Sequence, residues 1–91
     1  MTAKRYRKKP VVIEAVQWDG TVAHAGYITG WIANHGHEVV YCPDMPYIQI
    51  KTPEGRVLVS PSDWIIRGVA GEFYPCRADI FAATYEGASF R

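Results

Sequence analysis

No stretch of this 91-residue chain stays apolar for the roughly 18 residues that a membrane-crossing helix needs. The basic start at 4–9 leads into Val11, Val12 and Ile13, but Glu14 interrupts that run before it can form the core of a signal peptide. The expectation is a protein that stays in the cytoplasm where it is made, with no membrane partner. Cysteine is scarce as well. Cys42 and Cys76 are the only two, and neither belongs to a C-x-x-C pair, which excludes a disulfide-framework mini-protein and removes the common redox and zinc signatures. Both are read as reduced thiols. Internal repeats and low-complexity segments are absent too.

What is present is the composition of a globular domain. Hydrophobic residues make up 48% and charged residues 21%, too apolar a balance for intrinsic disorder, and the length supports a single core. The formal charge of +1 hides an asymmetry: Lys4, Arg5, Arg7, Lys8 and Lys9 are five of the ten basic residues, while all nine acidic residues follow Pro10. The predicted organisation is a basic flexible tail at 1–9 and one domain at 10–91. Such a tail attracts phosphates, which makes nucleic acid a candidate partner. The acidic body argues against it, because nucleic-acid grooves spread positive charge over a folded face.

Residues 11–18 are rich in β-branched side chains, lack Gly and Pro, and carry apolar groups on both faces, the pattern of a central strand. Asp19-Gly20 breaks that strand. Ile28, Trp31, Ile32 and His35 then recur at i, i+3, i+4 and i+7, predicting a helix over 21–35 with Thr21 as N-cap and Gly36 as its stop. Strands are predicted at 38–42, 47–52, 56–60, 64–67 and 72–74, with Pro53-Glu54-Gly55 joining two of them as a hairpin. Asp79 is placed as the cap of a last helical turn in which Ile80, Phe81 and Thr84 or Tyr85 share a face. The sum is an α+β fold: a compact antiparallel or mixed sheet of five to six strands, one packed helix and a short C-terminal helical turn.

With these elements placed, KKPVVIEAVQW at 8–18 and DWIIRGVAGEFYPCRADIFAATYE at 63–86 resemble a family of small proteins encoded by tailed bacteriophages and prophages. Its members share a KPVxxEAxQW-like opening, a GDW- or GDY-like turn and a GEFYPCxPDIFxxTYE-like ending. This chain departs from the pattern at Ser62, where Gly is usual, and at Ala78, where Pro is usual. The resemblance implies a phage origin and a host-cytoplasm setting, and carries no activity with it.

Chemistry must therefore be sought in the residues. His35, His37 and Cys42, with His24 upstream, form an H-x-H-x4-C cluster without the compact answering pair of a metal site, and no metal or other cofactor is expected. Cys76 beside Arg77 has the charge partner of an activated thiolate but no general base nearby in sequence. Gly68-Val69-Ala70-Gly71 lacks the lysine and following helix of a phosphate loop. The better reading is a binding surface. Trp64, Tyr74 and Tyr47 come from neighbouring strands and turns, with Arg67 and Arg77 close in sequence, and aromatic and guanidinium groups together suit a protein hot spot or a stacked, phosphorylated base. Trp64 and Phe73 are also read as core, the usual role of such rings in a small sheet.

The expectation is a small non-enzymatic phage accessory protein that binds a host macromolecule, above all a host protein. The alternatives are sequestration of a signalling nucleotide by an Arg67–Arg77 clamp, favoured by homo-oligomerisation, nucleic-acid binding through the tail, and a part in virion assembly by strand addition.

Overall fold

The computed structural model describes residues 2–7 and 9–87, so the outer ends of the expected tail and domain, Met1 and 88–91, and Lys8 within the tail lie outside the described residues. Eight elements follow in order: β1 (Glu14–Gln17), α1 (Val22–Asn34), β2 (Val39–Tyr41), β3 (Ile48–Thr52), β4 (Gly55–Val59), β5 (Trp64–Arg67), β6 (Phe73–Cys76) and α2 (Ala78–Thr84). The six strands form two three-stranded antiparallel sheets, ordered β1-β5-β6 and β2-β3-β4, where the hydrophobic pattern alone suggested one. The α+β class stands.

Alternation along the strands decides what each sheet buries. In the second sheet Ile48, Ile50 and Val59 point inward with Val39, Tyr41 and Val57, while Val40, Gln49 and Leu58 share the outer face. In the first, Val16, Ile65 and Phe73 face the same core. Helix α1 closes it with Ala25, Ile28 and Ile32, a face spaced by three and four residues. Trp18 is also buried there, and its indole N–H is satisfied by the Thr21 carbonyl at 3.0 Å. Phe73 belongs to the core as predicted.

Both ends of α1 are capped as the sequence indicates. Thr21 Oγ1 accepts from the His24 amide at 3.1 Å. At the other end the Gly36 amide donates to Ala33 and the His37 amide to Ile32, with Gly36 at φ 82°, the paired bonds of a Schellman motif. The hairpin between β3 and β4 turns on Pro53 and Glu54.

Two expectations are corrected. The first strand is an edge: among the described residues β1 pairs only with β5, whose four residues run out at Arg67 opposite Glu14, so Val11, Val12 and Ile13 outrun their partner strand. Val11 and Val12 are accordingly exposed. The last helix begins two residues earlier than expected, with Arg77 rather than Asp79 at the cap position and Asp79 inside the first turn.

The Ser60–Asp63 turn places Ser62 in the left-handed region. The Asp63 amide donates to the Ser60 carbonyl at 3.0 Å, Pro61 occupies the second position, and Ser62 takes φ 75° at the third. This is type II geometry, which favours Gly at the third position. Asp63 Oδ2 accepts from the Ser60 amide at 3.0 Å, and the Ser62 amide donates to Trp18 at 2.9 Å, so the turn is tied to the end of β1 despite its backbone strain.

Candidate binding groove

Successive side chains of a strand point to opposite faces, so Trp64, Ile66, Tyr74 and Cys76 occupy the face of the first sheet turned away from the core. Ala15 and Gln17 of β1 join them through their pairing with Ile66 and Trp64. Helix α2 packs across this face. Phe81 of the helix and Tyr85 at its C-cap, four residues apart, stack on one another at 4.8 Å, and Phe81 stacks on Trp64 at 4.0 Å with the planes 5° apart. The result is an aromatic layer in which Phe81 stacks with two other rings.

Beside the layer runs a groove of about 310 Å3, lined by Trp64, Phe81 and Tyr85 of the layer and by Val11, Val12, Ile13 and Ala15 of β1 and the segment before it, with Glu86 and Gly87 also lining it. A smaller hollow lined by Lys9, Pro10, Val11, Thr84 and Tyr85 adjoins it, since Val11 and Tyr85 belong to both. The basic arm therefore enters the body at the groove's edge. Residues 2–7 carry neither helix nor strand and are exposed.

Burial raises the Tyr74 hydroxyl from its usual 10.0 to about 12, with the neighbouring Tyr85 hydroxyl and the Glu72 carboxylate reinforcing the shift. Tyr74 is thus a neutral hydrogen-bonding group across the physiological range. At the opposite end of α2, Arg77 grips Asp79 through two hydrogen bonds of 3.1 and 2.8 Å. These bonds hold the Asp79 carboxyl below its usual value and raise the Arg77 guanidinium.

The five residues singled out by sequence do not assemble as one site. Trp64 and Tyr74 share the outer sheet face, and Trp64 lines the groove, so its ring belongs to the α2 layer and outside the main core. Tyr47 precedes β3 in the other sheet and lines neither hollow. Arg67 and Arg77 lie at opposite ends of the β5–β6 pair: Arg67 is opposite Phe73, and Arg77 follows Cys76, which pairs with Trp64. At about 3.3 Å per residue that separates them by roughly 13 Å along the strand. Each already has a carboxylate, since Arg67 donates to Glu14 at 3.0 Å while its Nε is buried without a partner among the described residues. Glu72 lies over Gly68, where an added Cβ would strike its carboxylate.

The histidines are similarly dispersed in role. The His35 ring bonds the Trp31 carbonyl at 2.9 Å, and the His37 ring meets Phe73 edge-on at 5.0 Å. His24 Nδ1 lies 3.0 Å from the Asp19 amide and 3.4 Å from the Asp19 carboxylate. The shorter contact requires an unprotonated Nδ1 that accepts from the amide, and its geometry governs. Among the described residues no group of three His, Cys, Asp or Glu side chains is placed to hold a metal ion, and no helix is long and apolar enough to cross a membrane.

Sequence reasoning missed Phe81, Tyr85, Val11 and Val12 as residues of the groove. The four-residue spacing of Phe81 and Tyr85 was visible, but the sheet face it would cover was not. Comparison with protein-family models, with curated proteins and with solved structures finds no match.

Proposed function

We propose that this chain is a small non-enzymatic binding protein that holds a host protein in the groove between α2 and residues 11–15, as a phage-encoded accessory factor acting in the host cytoplasm. The observation that carries this reading is the groove itself: three part-buried rings and two exposed valines line one cleft of about 310 Å3. Aromatic anchors beside exposed aliphatic surface are the usual makings of a protein hot spot. The phage origin rests on the resemblance of 8–18 and 63–86.

A nucleotide clamp receives less support. Its two guanidinium groups lie at opposite ends of a hairpin, each beside a carboxylate, and the Trp64 ring is already stacked on Phe81.

The test is affinity capture from host lysate with the native chain and with Val12→Glu, which places a charge at an exposed position of the groove wall. A partner held by the native chain and lost by a variant of equal melting temperature supports the reading. Equal capture by both removes the groove from consideration.

A further inference from the structure

The groove has an open strand edge on one side and a concentrated positive charge at one end. Because the Trp18 amide donates to Asp63, across the line that continues the β1–β5 pairing, alternation turns the amides and carbonyls of Ala15 and Gln17 away from β5. Residues 11–13 extend that edge, with Val12 60% exposed. Consecutive β-branched residues of this kind favour the extended backbone of a strand.

Lys9 stands where the edge begins, against Thr84 and Tyr85, and Lys4, Arg5 and Arg7 precede it in the arm. From Pro10 onward the chain holds five basic and nine acidic residues. An acidic segment is therefore drawn to the arm and repelled by the body, a combination that fixes orientation as well as position. Glu86 at the groove margin adds to that bias, keeping the partner's acids near Lys9.

Resting on the groove reading above, we infer that the occupant is an extended acidic segment of the partner protein, added as a strand along residues 11–17. Main-chain bonds to Ala15 and Gln17 hold it. Its aliphatic side chains enter the groove against Trp64 and Tyr85, and its carboxylates face Lys9 and the arm. Affinity comes from the strand bonds and apolar contacts, while charge sets the association rate and the choice of partner.

The probes are two fluorescein-labelled peptides, one alternating Leu with Glu and one alternating Leu with Lys, titrated against the full-length protein. The Glu peptide should bind about tenfold or more tightly than the Lys peptide, with affinity falling as salt rises. Arg7→Glu combined with Lys9→Glu should remove that preference, and Val12→Glu should weaken the Glu peptide about tenfold. Amide exchange should slow at Ala15 and Gln17 when the peptide is bound. Equal binding of the two peptides, or protection elsewhere, overturns the inference, as does a concentration-dependent dimer that buries 11–17, because the occupant is then a second copy. A host protein crosslinked at Val12 through a neutral or basic segment overturns the acidic partner and leaves the groove reading standing. Failure of every probe and every host protein to reach Val12 defeats both.

Discussion

Trp64 and Phe81 lie face to face, their ring centroids 4.0 Å apart and their planes 5° from parallel. This contact joins the first strand of the β5–β6 hairpin to a helix of seven residues, too short to persist alone in water. Tertiary packing must supply what the helix lacks. The groove depends on the same contact, because Trp64, Phe81 and Tyr85 form its wall.

Replacing Phe81 with Ala should therefore destabilise the protein by about 2–3 kcal/mol, with Phe81→Leu costing less, since a part-buried ring loses both contact area and two stacking partners. Denaturant unfolding followed by tryptophan emission reads the change. A Phe81→Ala variant with native stability would mean that α2 is not held by the stack.

Ser62 and Ala78 make opposite use of backbone geometry, yet Gly at the first and Pro at the second should both stabilise. Ser62 holds φ 75°, where a side chain costs about 1 kcal/mol that Gly avoids. Ala78 is the first residue of α2, and Arg77 before it has ψ 147°, an extended setting that accepts a following proline. Ser62→Gly should gain about 1 kcal/mol and Ala78→Pro about 0.5–1 kcal/mol, additively because the turns do not share a partner. Thermal unfolding of the two variants and their combination checks this, and a destabilised Ala78→Pro would show that the helix start is misplaced.

Local chemistry was legible in the sequence and long-range pairing was not. The span and caps of α1 followed from the spacing of Ile28, Trp31 and Ile32 and from Thr21 and Gly36, and the hairpin at 53–55 followed from its turn residues. Period-two alternation showed that 11–18 favours a strand. It carried no information about how long the partner strand is, so the edge position of β1 and the exposure of Val11 and Val12 were hidden. The Arg67–Arg77 pair failed for the same reason: residues flanking a hairpin in sequence are sent to its two ends by the register. Trp64 was read as core because nothing local indicates that α2 turns back over the outer sheet face.

Acid should weaken the start of α1. Hydrogen bonds from the Thr21 hydroxyl and amide hold the Asp19 carboxyl below its usual 3.8. A depressed folded value means that the contribution is fully present above 3.8 and is lost as pH falls through the folded value below it. The carboxyl is exposed, so the effect is small. Asp19→Asn should melt earlier than the native chain at neutral pH, and the gap should close in strong acid. A gap that stays constant across that range would contradict the assignment.

At the alkaline end Tyr74 provides the opposite sign. Its folded value of about 12 exceeds the ordinary 10.0, so its contribution is present below 10.0 and is lost as pH rises from there towards 12. Tyrosinate absorbance should show a late-titrating ring that is absent from Tyr74→Phe. Loss of stability between those limits should be shallower in that variant.

The most direct test of the central claim is photo-crosslinking from position 12 in host lysate, with a photoreactive residue in place of Val12 and a control in place of Leu58 on the outer face of the second sheet. Both side chains are exposed in the isolated protein, so unspecific contact marks them alike. A discrete host protein joined at position 12 and not at position 58, and displaced by excess unlabelled native chain, is the predicted result. Crosslinking confined to position 58, or equal and undisplaced at both, would contradict the groove as the site of function.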